Sequence, residues 1–126
     1  MILVDTSIWV DHFRTGEKGL VDLMNAERVL THPFIIGELA LAHLPNRQTV
    51  LRFLAKLPEA ITAREDEALH FIEKHALASQ GIGYVDAQIL ASAQLTIGAR
   101  LWTRDKRLLA VAGRMGLSMQ MAAPLH

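Results

Sequence analysis

The sequence predicts an α/β fold with a central, mainly parallel sheet flanked by helices. Three observations carry this. Ile2-Leu3-Val4 is an apolar run without alternation, two of its three residues β-branched, which suits a strand covered on both faces. Short strand-like runs then alternate with stretches of helical periodicity along the 126 residues, the pattern of a parallel sheet covered by helices. A carboxylate, Asp5, follows the first run at once, at the carboxyl end of the expected strand, where ligands bind in open α/β sheets. Asp5, Thr6 or Ser7 could equally cap the helix that follows. One domain over residues 1–126 is expected, long enough for a real core.

In chain order, a helix is expected from Ser7 to about Arg14, with Ile8, Trp9, Val10 and Phe13 apolar and Gly16 breaking it. A second runs from about Lys18 to Ala26 through Leu20, Val21, Leu23 and Met24, and Arg28-Val29-Leu30-Thr31 reads as a short strand. Pro33 fits a first helical turn, where its missing donor costs nothing. The helix it opens runs to about Leu44 and is apolar nearly all round through Phe34, Ile35, Ile36, Leu39, Ala40, Leu41 and Ala42, so it should be buried. Pro45-Asn46 stops it, and a further helix carries Val50, Leu51, Phe53, Leu54 and Leu57 to Pro58. Ala60-Ile61-Thr62 is a short strand or a loop. Thr62 with Glu65 forms a capping-box signature, opening a helix with Ala68, Leu69, Ile72, Ala76 and Leu77 that Gly81 ends. Val85, Ile89, Ala93 and Ile97 mark the next helix, with Gly98 as its stop. Arg100-Leu101-Trp102-Thr103 reads as a strand, Asp105 to Ala112 as a helix ending near Gly113 or Gly116, and Leu117-Ser118-Met119-Gln120 as a last edge strand.

Hydrophobic residues are 51% of the chain and eight more are glycine, together above the roughly 45–50% of ordinary soluble domains on that count. This points to apolar surface beyond one small core, hence a protein partner or homodimer. No apolar run approaches the roughly 18 residues of a membrane span, and no export signal is visible, so a cytoplasmic protein is expected. The absence of cysteine excludes disulfides and thiolate metal sites. Thirteen basic and thirteen acidic residues cancel, so a nucleic acid would have to be held by a local basic patch.

Most acids have ordinary surroundings. Glu65, Asp66 and Glu67 suit a solvated first helical turn, and Asp11, Glu17, Asp22, Glu27, Glu59 and Glu73 fall on polar faces or in loops. Four differ. Asp5 follows Ile2-Leu3-Val4; Glu38 lies inside Phe34-Ile35-Ile36-Gly37-Glu38-Leu39-Ala40-Leu41; Asp86 lies in Ile82-Gly83-Tyr84-Val85-Asp86-Ala87-Gln88-Ile89-Leu90; Asp105 follows Leu101-Trp102-Thr103-Arg104. Asp105 could be a helix cap and Asp86 a first-turn acid. Glu38, several residues into an apolar helix, needs a cation, since an unpaired charge there is costly. A lone Arg or Lys would serve. A divalent metal would relieve all four acids if they converge where strand ends and helix starts gather. All-oxygen ligation without cysteine suits Mg²⁺ or Mn²⁺. Zn²⁺ would usually recruit histidine, and His12, His32, His43, His70, His75 and His126 show no metal spacing and read as surface or packing residues. Gly37, Gly81 and Gly83 permit close backbone approach or tight turns, or are ordinary breakers. Hydroxyls at Thr6, Ser7 and Thr103 lie beside the acids and could support a metal shell, with capping an equal alternative for Thr6 and Ser7.

In order and spacing, Ile2-Leu3-Val4-Asp5-Thr6-Ser7, Gly37-Glu38-Leu39, Gly83-Tyr84-Val85-Asp86-Ala87 and Thr103-Arg104-Asp105-Lys106 resemble the motifs of the PIN-domain nucleases, most closely the VapC toxins of bacterial toxin–antitoxin pairs. The resemblance covers essentially the whole chain. It implies a three-layer α/β/α PIN-like fold, a homodimer, a Mg²⁺- or Mn²⁺-dependent ribonuclease, and a small VapB-like antitoxin whose tail occupies the active-site groove. It also implies that Asp5, Glu38, Asp86 and Asp105 form the family's acidic quartet.

The chemistry so implied is hydrolysis of RNA phosphodiester bonds, with one or two metal ions held by the carboxylates and a carboxylate of the set accepting the water's proton. Arg104, Lys106 and Arg107 are the candidates for phosphate contacts, or else a solvated helix start. Trp9 and Trp102 read as core rather than as base-stacking residues. Two other functions compete. One is a metal-dependent phosphohydrolase or receiver-like domain on a similar sheet, although the opening lacks the Asp-x-Asp such a phosphatase would use. The other is a non-catalytic RNA- or protein-binding PIN-like module, against which the presence of all four acids argues.

Overall fold

In the computed structural model, which describes residues 1–119, the chain runs β1 (Ile2–Val4), α1 (Thr6–Thr15), α2 (Lys18–Asn25), β2 (Val29–Leu30), α3 (Pro33–Leu41), α4 (Arg47–Ala55), α5 (Glu65–Lys74), α6 (Tyr84–Leu95), β3 (Arg100–Trp102) and α7 (Lys106–Arg114). The three strands form one parallel sheet in the order β2-β1-β3, with Leu3 opposite both Leu30 and Leu101. Parallel neighbours require long crossovers, and the helices supply them, giving the three-layer α/β/α arrangement. The sheet is lengthened by single parallel bridges, Thr31 to Glu59 on one edge and Leu101 to Ser118 on the other. Of the two readings of Ala60-Ile61-Thr62, strand or loop, the structure has the loop, with the bridge one residue earlier at Glu59. The expected last edge strand is a bridge at Ser118, its Gln120 lying outside the described residues. His126 lies outside them too.

β1 is central, and its apolar run is closed in on both sides: Leu3 and Val4 are fully buried. Burying a side chain of that size contributes about 1.5–3 kcal/mol. From β1 the chain passes to β2 on one side and later to β3 on the other, so the crevice at its carboxyl end is a topological switch point. Asp5 stands there.

The structure corrects three expectations. The apolar helix α3 is not buried all round. It packs inward through Ile35 and Leu39, while Leu41 is 91% exposed and Phe34 and Glu38 also face outward. The enclosed helix is instead α6, buried continuously from Ala87 to Ala93, including the polar Gln88 and Ser92. Small alanines let it approach its neighbours from all sides, and its polar side chains are hydrogen-bonded to other elements. Finally, α5 does not start from a Thr62 cap. Its N-cap is Arg64, whose N–H donates to Glu67 Oε1 at 2.9 Å. The helix ends at Lys74, with Ala76 in the left-handed region at φ 51°, well before Gly81.

The cap assignment is testable by urea unfolding. Glu67→Ala should cost about 1 kcal/mol. Thr62→Ala, exposed and outside the helix, should change stability by less than about 0.5 kcal/mol.

Candidate functional site

The four singled-out acids reach one region from four elements. Asp5 follows β1 and is 8% exposed. Its N–H donates to the Trp102 carbonyl at 2.9 Å, continuing the β1–β3 ladder by one residue and fixing the carboxylate at the strand end. Although Asp5 sits at the N-cap position of α1, its side chain makes no capping hydrogen bond; Thr103 Oγ1 donates to Asp5 Oδ2 at 2.7 Å instead. Thr103 Oγ1 also accepts from the Asp105 N–H at 3.1 Å, so one hydroxyl joins the first and fourth acids.

Asp105 does cap α7: its Oδ1 accepts from the Leu108 N–H at 3.0 Å. Asp86 lies in the first turn of α6, its Oδ2 accepting from the Gly83 N–H at 3.4 Å. The capping and first-turn readings therefore hold for these two, alongside their place in the cluster.

Glu38 departs most from the sequence expectation. It is exposed rather than buried, and among the described residues no cation pairs with it. Thr6 Oγ1 donates to its Oε1 at 2.6 Å, tying α3 to the start of α1. The helix is apolar in composition, yet Glu38 falls on its solvent side, so the desolvation argument for a buried partner does not apply. Of the hydroxyls, Thr103 and Thr6 touch acids, whereas Ser7 Oγ accepts from the Arg104 N–H at 3.5 Å.

Convergence is visible in the electrostatics. The Asp86 carboxyl is pushed above its ordinary 3.8, first by burial and then by the negative charges of Asp5, Asp105 and Glu38, against the opposing pull of the Gly83 N–H. All three other acids are thus near enough to be felt. Among the described residues, no three acidic or histidine side chains stand close enough together to enclose an ion as they are arranged. Each carboxylate is turned to a neutral donor of its own. The concentrated negative charge and the all-oxygen donor set nevertheless fit a hard divalent cation such as Mg²⁺ or Mn²⁺.

Of the phosphate candidates, Arg104 is already engaged, with Asp11 and Glu17 both accepting from its guanidinium. Those two acids, which the sequence places on polar faces, lie about ninety positions away in the chain, so no local pattern announces the pair. The Arg104 guanidinium also stands 6.0 Å from the Trp102 ring. Lys106 and Arg107 are exposed and make no ion pair among the described residues. Arg107 passes over Gly81, whose φ of +81° and lack of a side chain both matter, since a Cβ there would lie 2.7 Å from Arg107 Cδ. Trp9 is fully buried and stacked on Phe13, and Trp102 packs against the core, as expected for core residues.

The PIN domain profile matches residues 2–114. Over 119 residues, 94% of this chain and 96% of its relative, the sequence is 43% identical to Ribonuclease VapC32 of Mycobacterium tuberculosis strain CDC 1551 / Oshkosh. The same identity and coverage hold for Ribonuclease VapC32 of strain ATCC 25618 / H37Rv.

A carboxyl whose folded pKa is raised favours folding when protonated, and that contribution is lost as pH rises through the folded value. Asp86→Asn should therefore melt at or above the original protein in EDTA at pH 7. The difference should vanish as pH falls through the raised value toward 3.8. Thermal unfolding at a series of pH values measures this.

Proposed function

The chain belongs to the PIN-domain family, and from that premise we propose that it is a metal-dependent endoribonuclease acting as the toxin of a type II toxin–antitoxin pair. The observation that carries this reading is the set of hydrogen bonds from Thr6 and Thr103 that draws Glu38, Asp5 and Asp105 to the carboxyl end of β1, with Asp86 near enough to feel all three. Four acids from four separated segments, with no internal cation among the described residues, make a site that attracts a cation. The 43% identity to a ribonuclease over nearly the whole chain supports RNA as the substrate.

In this reading Asp5, Glu38, Asp86 and Asp105 hold Mg²⁺ or Mn²⁺. When bound, the cation lowers the pKa of a water and neutralises charge developing on the phosphate and leaving oxygen. The chain's own residues do the rest. A carboxylate of the set would accept the attacking water's proton. Thr103 holds Asp5 and, through the Asp105 N–H, the start of α7. Thr6 holds Glu38. Lys106 and Arg107 contact the RNA phosphates, while Arg104, neutralised by Asp11 and Glu17, braces the β3–α7 turn against α1.

The same reading includes one nuclease domain over the whole chain, a cytoplasmic setting, a small VapB-like antitoxin and a homodimer. Exposed apolar side chains support protein partners, Leu41 at 91% and Ile97 at 99% among them. No helix among the described residues is long and apolar enough to cross a membrane.

The test is cleavage of RNA by the purified protein. Activity should vanish in EDTA, return with Mn²⁺ or Mg²⁺, and fall by at least about a hundredfold in Asp86→Asn. Undiminished cleavage by metal-stripped protein would sink the proposal. Expression of the original chain should arrest bacterial growth, and Asp86→Asn should not.

Glu38→Gln separates ligand from scaffold. The side chain is exposed and has no buried partner charge to strand, so in EDTA the variant should melt close to the original protein. Its Mn²⁺-induced rise in melting temperature should shrink, because ligand stabilisation follows affinity. A variant that keeps the full Mn²⁺ rise removes Glu38 from the ligand set.

A further inference from the structure

His32 is the residue before α3, and it is fully buried. Burial lowers its pKa to about 4, so the ring is neutral at neutral pH. Nδ1 accepts from the Phe34 N–H at 3.0 Å, capping α3, which leaves the ring proton on Nε2. Nε2 then donates to Ser92 Oγ, 2.8 Å away in α6. Ser92 Oγ also accepts from the Ala63 N–H at 3.0 Å and donates to Gln88 Oε1 at 3.2 Å, while Gln88 Nε2 donates to the Ala63 carbonyl at 2.7 Å. The hydroxyl is thereby saturated, with one donor and both lone pairs in use. A buried network of this kind holds one geometry, because any slip leaves a polar group unpaired in the core.

The network's position gives it a function. α3 carries Glu38 six residues after His32, and α6 carries Asp86 six residues before Ser92. Ile35 and Leu39 of α3 and Ile89 and Leu90 of α6 belong to one apolar core, and non-directional packing of that kind fixes relative orientation less sharply than a saturated hydrogen-bond network does. We propose that the His32–Ser92–Gln88 network sets α3 against α6 and thereby positions Glu38 relative to Asp86 for a divalent cation. His32 and Ser92 are positioning residues; neither touches the ion or the substrate. The inference rests on the reading of Glu38 and Asp86 as cation ligands.

Two variants cut the same bond from opposite ends. His32→Asn keeps an N-cap acceptor for α3 on a side chain too short to reach Ser92. Ser92→Ala keeps the cap and removes the hydroxyl. Leu20→Ala, in the core at α2, is the control for plain loss of stability. Mn²⁺ binding to each full-length protein is measured by titration calorimetry below its melting temperature, with thermal unfolding in EDTA alongside. Both network variants should weaken Mn²⁺ binding about tenfold, the scale seen when a group supporting metal ligands is removed. Leu20→Ala should lower the melting temperature and leave Mn²⁺ affinity unchanged. Original affinity in either folded network variant would overturn the proposal, as would an equal loss in Leu20→Ala. Either variant alone decides the matter if the other does not fold. If the original protein binds no Mn²⁺, the reading of the four acids falls and this inference with it; original binding with unaffected variants overturns the inference alone.

Discussion

Mutual repulsion among carboxylates is the constraint around which this fold is arranged. Asp5, Glu38, Asp86 and Asp105 come from elements up to a hundred residues apart, and the sheet gathers them at one end. The Asp86 carboxyl is raised first by burial, and the negative charges of the other three acids add to that. Among the described residues, no salt bridge offsets the repulsion. Each acid takes a neutral donor: Thr103 for Asp5, Thr6 for Glu38, the Gly83 N–H for Asp86, the Leu108 N–H for Asp105. Neutral donors orient a carboxylate and leave its charge in place. Arg104, the nearest arginine in sequence, is occupied by two other acids. The result is a site that keeps its negative charge.

The sheet can do this because β1 is central. Its neighbours on the two sides are reached at different points of the chain, so helices start on both sides of its carboxyl end. α1 follows β1, α7 follows β3, and the starts of α1 and α7 share the Asp5–Thr103–Asp105 chain of hydrogen bonds. Glu38 and Asp86 stand on longer crossovers and need other ties. Thr6 secures Glu38 to α1, and the buried His32–Ser92 bond joins its helix to that of Asp86.

Much of this was legible in the sequence. Three-residue β1 announced itself because an uninterrupted apolar run can only be satisfied with cover on both faces. Gly16 and Pro33 bound α1 and α3 as expected, where backbone chemistry decides locally, whereas α6 ends at Leu95, before Ile97 and the expected stop at Gly98. The four acids stood out because each adjoins apolar residues, a local incongruity. PIN-domain membership followed from the order of those same motifs. By contrast, the α5 cap was misplaced. Thr62 has the side chain of a cap and Arg64 does not, yet the helix starts after Arg64, where Glu67 reaches back to the backbone N–H.

What the sequence by itself determined was the set of elements, their order and the identity of the acids, all of which rest on interactions within a few residues. Tertiary structure alone decided which helix is enclosed. α3 is the more apolar and lies half open, whereas α6 carries Gln88 and Ser92 into the core. Apolar composition says that a helix can be buried, but burial is settled by how many neighbours can approach it. α6 is lined with alanines that admit close packing, and its polar groups find partners in His32 and Ala63, 60 and 25 residues away. The exposure of Glu38 and the capture of Arg104 by Asp11 and Glu17 are decided in the same way. Each depends on residues brought together by the crossovers, and no local pattern encodes a distance that only the folded chain makes short.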